Sequence, residues 1–293
     1  MRAGLTIFLA GVIAAGAAGA ETAVIDAEAA FPEGPVVIDG VLHYAQYGAH
    51  RVSTWDGTTL RTLWEGAGCG PSAVAPLGPD LAVTCYDNGT VARIGRDGAT
   101  IATLAADSSG AALVGPNDLT PDGKGGLYMT ASGPWESGPI VGKVYHLGAD
   151  GTLRMLADDL HYANGIALSP DATRLFVNES EAGRVISFAV GPDGSLSDRR
   201  LFVRVSEVDP GSPGSYPDGL KFGPDGNLWI GQYSQGRIVV VAPDGAFVRA
   251  LDVPSAAAPN LAFSADGTRV YVTAVDDTAA APYRGKVYDL PLN

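Results

Sequence analysis

The sequence predicts an all-β fold: a six-bladed β-propeller closed by an N-terminal strand that completes the last blade. Three observations carry that prediction. Of 293 residues, 39 are Gly and 20 are Pro, spread between short apolar runs along the whole chain, which marks many short strands and tight turns. A four-stranded unit recurs, with anchors at Glu33, Ser72, Asn117, Asn164, Asp218 and Asn260, spaced 39, 45, 47, 54 and 42 residues apart. About forty to fifty residues per unit is the propeller period. Helical solenoids share that length, but no unit sustains a 3.6-residue periodicity.

Residues 1–20 form a separate object. Arg2 supplies a positive start, Leu5 to Ala15 an apolar stretch, and Ala18-Gly19-Ala20 a small-residue cleavage site before Glu21. This is the pattern of a secretory signal peptide, with an apolar stretch too short for a membrane span. The chain is therefore expected in the periplasm or outside the cell, with residues 21–293 as one propeller domain and, in solution, a monomer.

Within that domain the unit reads clearly in the fourth repeat. Ala163-Asn164-Gly165-Ile166-Ala167-Leu168 is followed by the turn Ser169-Pro170-Asp171, then Arg174-Leu175-Phe176-Val177-Asn178. A third strand runs from Arg184 to Phe188, before the turn Gly191-Pro192-Asp193-Gly194. The fifth repeat copies it from Tyr216-Pro217-Asp218-Gly219-Leu220 to Pro243-Asp244-Gly245. The last repeat stops after its third strand, at Lys286 to Leu290, so it lacks a fourth. The segment Thr22-Ala23-Val24-Ile25-Asp26 precedes the first repeat and can supply that missing edge.

Charge and cysteines narrow the partners. A net charge of −13 repels phosphate backbones and anionic lipid, so neither nucleic acid nor a membrane surface is an expected partner. Cys69 and Cys85 lie sixteen residues apart with no His positioned to complete a zinc site. The hairpin around Pro76–Asp80 places them across from each other on neighbouring strands. For an exported chain this favours a disulfide over two buried free thiols.

The anchors carry the chemistry. Each sits where the chain enters the innermost strand of a blade, so the propeller gathers all of them around one mouth of the central channel. Their side chains are hard oxygen donors, two of them carboxylates, with no thiol or imidazole. That set suits one divalent ion, Ca²⁺ before Mg²⁺ or Mn²⁺. Asn and Asp beside Gly also make ordinary turns, but turns alone do not explain their recurrence at one register. A cation there would polarise an ester carbonyl, and Asp218 would take a proton from attacking water. The ends of the second strands should form the rim, making Trp135, Glu136, His161, Glu179, Tyr233 and Asn260 candidates for substrate contact. No His stands where a Ser–His–Asp triad needs it, and the glycines punctuate strands instead of cradling phosphate.

Four motifs stand in order at propeller spacing: Phe31-Pro32-Glu33-Gly34-Pro35, Gly115-Pro116-Asn117-Asp118, Ala163-Asn164-Gly165-Ile166-Ala167-Leu168-Ser169-Pro170-Asp171 and Pro217-Asp218-Gly219-Leu220. With these, essentially all of residues 22–293 resemble the senescence-marker-protein (regucalcin) and gluconolactonase family of six-bladed propellers. The resemblance implies that Glu33, Asn117, Asn164 and Asp218 hold the divalent ion and that Asp218 is the general base. It implies a metal-dependent lactonase or esterase acting on a small lactone. The other readings are a calcium-stabilised binding propeller without turnover, or a phosphotriesterase-like hydrolase. Two positions depart from the family. Many of its sugar lactonases carry an Arg for the substrate's hydroxyls where this chain has Gly115. Ala131-Ser132 stands where an acidic residue is often found.

Overall fold

The computed structural model describes residues 22–292 apart from 136, 137 and 139. The predicted signal peptide and the candidate Glu136 lie outside the described residues. The protein is an all-β propeller. Four sheets have four strands each: the first runs Pro32–Ile38, Val41–Gln46, Arg51–Trp55, Leu60–Glu65, and the others span 71–104, 116–160 and 163–204. The remaining strands form an eight-stranded sheet whose halves, 217–252 and 257–291 with Ala23–Ala30, meet through the single pair Gln232↔Ala258.

Burial falls outward along each sheet, and the composition follows it. Second strands such as Leu127–Ala131 and Leu228–Gln232 are buried throughout, whereas the outermost strand Thr100–Leu104 is almost wholly exposed. Apolar clusters fill the spaces between successive sheets. Leu81, Val83 and Ile94 pack against Val52, and Leu119, Leu127 and Met129 pack against Ala75. The Asp-containing turns close by a local device: the carboxylates of Asp171, Asp193 and Asp266 each accept from the backbone N–H two residues on.

The innermost strands begin at Pro32, Pro71, Pro116, Ala163, Pro217 and Ala257. Each contacts the next, and the last contacts the first, so they close a ring. The N-terminal strand does what the incomplete last repeat requires. Ala23–Ala30 pairs antiparallel with Arg284–Pro291, from Ala23↔Asp289 to Ala30↔Arg284. Register slips on both sides of Asp26 turn its carboxylate inward, where Oδ2 accepts from Tyr44 Oη at 2.6 Å and Gln46 Nε2 at 3.4 Å. Those residues belong to the first sheet, so one strand fastens the last unit to the first.

Cys69 and Cys85 form the expected disulfide, with Cα atoms 4.5 Å apart. Pro71 is the residue facing Cys85, so Cys69 bridges diagonally from just before its strand. Among the described residues no helix is long and apolar enough to cross a membrane.

Candidate active site

The inner strands slip register at their anchors. Pro116↔Ala131 gives way to Leu119↔Met129, Ala163↔Glu179 to Ile166↔Val177, and Pro217↔Gln232 to Leu220↔Ile230. Two inner residues thus oppose one partner, forming a bulge that re-aims a side chain. The first bulged residues are Asn117, Asn164 and Asp218, and with Glu33 and Ser72 they line one cavity of about 30 Å³. The second bulged residue is forced where inner strands crowd. A Cβ on Gly165 would stand 2.2 Å from the Asp218 carbonyl oxygen, and one on Gly219 2.1 Å from Asn260 Cγ.

The same register corrects the sixth anchor. The last unit slips between Ala257↔Val275 and Asn260↔Thr273, so Ala258 occupies the anchor position and Asn260 lies two residues deeper. Asn260 does not line the cavity. Its Nδ2 donates to Glu33 Oε2 at 3.2 Å, while its Oδ1 accepts from the Leu261 N–H at 2.9 Å. It supports a cavity-lining residue from outside the cavity.

Three of the anchors are also held from the preceding sheet. Buried Thr84 Oγ1 donates to the Asn117 carbonyl at 2.5 Å, Thr130 Oγ1 to that of Asn164 at 2.6 Å, and Asn178 Nδ2 to that of Asp218 at 2.5 Å. Asn117 is tied at its side chain as well. Its Nδ2 donates to Ser132 Oγ at 2.9 Å, and that hydroxyl donates onward to the Ala163 carbonyl at 2.7 Å. With its nitrogen committed, the Asn117 amide is left to present oxygen to the cavity.

The charges do not balance within this cavity. Burial pushes the Glu33 and Asp218 carboxyls well above the usual carboxylate range; the charges of Glu33 and Asp118 add to the shift of Asp218, and that of Asp118 to the shift of Glu33. Hydrogen bonds from Asn260 to Glu33 and from Asn164 to Asp218 oppose the shift without overcoming it. The nearby cation is spent elsewhere: Lys221 Nζ pairs with buried Asp118 at 3.1 Å. Among the described residues no three His, Cys, Asp or Glu side chains cluster as metal ligands. The donors here are two carboxylates and two amides. A hard divalent cation fits that set, because it supplies the missing charge, prefers oxygen, and needs little more room than this cavity has.

Above the carboxyls stands a closed aromatic collar. Phe31, Tyr47, Tyr86, Trp135, Tyr162, Tyr216 and Tyr233 each contact the next, and Tyr233 returns to Phe31, with centroids 5.4–6.5 Å apart. Phe31, Tyr162 and Tyr216 sit two residues before Glu33, Asn164 and Asp218. Tyr47, Tyr86 and Tyr233 directly follow second strands. Of the rim candidates, Trp135 and Tyr233 therefore do reach the mouth. His161 does not: a positive φ at Tyr162 turns the chain so that Tyr162 enters the wall, while the His161 N–H donates to Glu179 Oε1 at 2.9 Å. Glu179 is likewise absent from the mouth. It is wholly buried, bound to Arg184 Nε at 2.6 Å and Arg199 Nη2 at 3.1 Å.

Comparison with known proteins places the chain in a family. A family profile described as SMP-30/Gluconolactonase/LRE-like region matches residues 31–276. The chain belongs to that family. It is 31% identical over 180 residues to an L-arabinolactonase of Azospirillum brasilense, covering 59% of this chain and 58% of that protein. It is 29% identical over 159 residues to a pentonolactonase of Haloferax volcanii, of which 52% is covered. The chain thus matches little more than half the length of these relatives. Among solved structures, a gluconolactonase of Xanthomonas campestris superposes with a TM-score of 0.77 at 25% identity, covering 93% of this chain and 89% of that one. A calcium-binding regucalcin of Agrobacterium tumefaciens shares the fold, with a TM-score of 0.71 at 18% identity over 91% of this chain and 92% of that one. Within the family, the Gly115 departure has a physical reason here. Gly115 has φ +60°, and a Cβ on it would lie 2.2 Å from the Gly133 carbonyl oxygen and 3.0 Å from Tyr86 Cε2. The Gly133 carbonyl and the Tyr86 ring occupy the space an Arg would need.

Proposed function

We propose that this protein is a metal-dependent hydrolase that opens a lactone at the mouth of a six-bladed propeller. The observation that carries the reading is the buried pair Glu33 and Asp218, facing Asn117 and Asn164 in an ion-sized cavity under an aromatic wall. The lactonase names of its relatives support the reaction class. The blade count is supported by the ring of inner strands and by the single pair joining the two halves of the eight-stranded sheet.

In this reading Glu33, Asn117, Asn164 and Asp218 hold one divalent cation, Ca²⁺ first and Mg²⁺ or Mn²⁺ as alternatives. Bound there, it supplies positive charge that draws electron density from the ester carbonyl. Asp218, ionised beside a cation, accepts the proton of the attacking water. The Asn164 amide beside Asp218 favours the ionised form of that carboxylate. The aromatic wall holds the lactone ring and excludes bulk water. The signal-like residues 1–20 support export to the periplasm or exterior, with 21–293 acting as one monomeric domain.

The test compares the protein and Asp218→Asn on a lactone panel at saturating calcium. The substitution keeps an oxygen donor but removes the base, so turnover should fall about 10²- to 10⁴-fold and stay low however much calcium is added. An Asp218→Asn protein that opens lactones at the unmodified rate would show that Asp218 is not the base. A protein that binds calcium yet opens no lactone is a binding propeller.

A further inference from the structure

We infer that the mouth selects a lactone with an apolar or aromatic body over a polyhydroxylated one. The word lactone rests on the reading above; the selectivity rests on the wall alone.

The wall offers ring faces and edges, and most of its hydroxyls are already paired within the protein. Tyr47 Oη donates to Asp87 Oδ1 at 2.8 Å, and Tyr86 Oη to the Gly133 carbonyl at 2.9 Å. The Tyr162 hydroxyl is paired with that of Tyr86 at 3.0 Å. Three of the five collar hydroxyls are thus consumed by the protein, which leaves those of Tyr216 and Tyr233. Ser72 Oγ is spent on the Pro116 and Asn117 carbonyls, both at 3.1 Å. Among the described residues no Lys or Arg lines the small cavity or the two wider spaces beside it, and no side chain fits at position 115.

Those wider spaces show where a substrate body would lie. One, of about 590 Å³, is bounded by Tyr162, Tyr216 and Glu181; the other, of about 420 Å³, by Phe31, Tyr47 and Tyr283. Both share Trp135 and Tyr233 with the small cavity. A carbonyl reaches the carboxyls while the rest of the molecule rests against rings. A sugar lactone would bring more hydroxyls than Tyr216, Tyr233 and Glu181 can pair, at roughly tenfold in affinity or more for each one buried without a partner. An aromatic body would instead gain edge-to-face contacts. In the reaction, water oxygen bonds to the carbonyl carbon, the ring C–O bond breaks, and the proton taken from water passes to the departing oxygen. The product is a hydroxy acid. Its carboxylate is repelled by Glu181 at the edge of the wider space, which favours release.

The test measures kcat/KM with calcium for 3-isochromanone, a benzo-fused lactone, against glucono-1,5-lactone. In parallel, calorimetry measures binding of two compounds that cannot be hydrolysed, 2-tetralone and 1,5-anhydroglucitol. We expect the benzo-fused lactone to be favoured by about 100-fold and 2-tetralone to bind where the polyol does not. Trp135→Ala removes a ring that is 60% exposed. It should leave the melting temperature in place and cut the preference by about fivefold to tenfold. Equal or better turnover of the sugar lactone overturns the inference and leaves the hydrolase reading standing, as does a preference that survives Trp135→Ala unchanged. If neither lactone is opened, the hydrolase reading fails. The binding arm then decides alone: tighter 2-tetralone upholds the selectivity, and equal or tighter anhydroglucitol overturns it.

Discussion

Ser132→Ala isolates how the second strand prepares the site. Ser132 is buried, accepts from Asn117 Nδ2 at 2.9 Å and donates to the Ala163 carbonyl at 2.7 Å. Removing the hydroxyl does two separable things. The Ala163 carbonyl loses its side-chain donor, costing about 1–3 kcal/mol of stability, or about 2–4 °C in melting temperature per kcal/mol. The Asn117 amide loses the partner that fixes which of its ends faces the cavity. Loss of an outer partner of a metal ligand typically costs about 10- to 100-fold in metal affinity or activity. Ser180→Ala is the matched control: Ser180 Oγ donates to the Pro217 carbonyl at 2.6 Å in the next unit, without touching a candidate ligand side chain. Calcium titration by calorimetry, with thermal melts, should show comparable destabilisation in both variants and weakened calcium binding chiefly in Ser132→Ala. Equal calcium affinity in the two would refute the claim that Ser132 orients Asn117.

Two further outcomes test the frame. Asp26→Ala leaves the Tyr44 hydroxyl and Gln46 amide without their shared acceptor between the first and last units, and should cost about 2–5 kcal/mol in urea unfolding; a change under about 0.5 kcal/mol would mean the carboxylate does not fasten them. Burial raises the Glu179 carboxyl, but Arg184, the His161 N–H and Arg199 outweigh it and leave it below its usual 4.5. A depressed folded value stabilises above the unfolded one and is lost as pH falls through the folded one. The wild type's stability advantage over Glu179→Gln should therefore be flat from pH 7 to 5 and shrink below about 4.5; an advantage unchanged down to pH 3 would contradict the ion-pair assignment.

How much of this was legible in the sequence depended on what each feature needs. The strand units and most anchors were readable because turns demand Gly, Pro, Asn and Asp at fixed places. The Cys69–Cys85 bridge and the pairing of Ala23–Ala30 with the last unit followed from counting strands. Asn260 was misplaced because a bulge shifts register without changing composition, so two residues of offset are invisible until partners are known. Glu179 looked like a rim acid because its charge alone does not reveal Arg199, twenty residues away. The collar did leave a trace, since Phe31, Tyr162 and Tyr216 each stand two residues before an anchor. Gly115 occupies that same slot, and Tyr86 from the preceding sheet fills the space it leaves.

Closure of the ring and preparation of the site are one property of this fold. The anchor carbonyls of Asn117, Asn164 and Asp218 are each held by a donor from the sheet before them. Glu33 has no such sheet before it in the chain. Its support, Asn260, comes from the last unit across the join with the first, and the N-terminal strand with Asp26 seats those two units together. The Asn260 bond to Glu33 thus spans the join that the N-terminal strand seats. Loosening that join should disturb Glu33 before it disturbs Asp218, whose holding bond lies wholly between the fourth and fifth repeats.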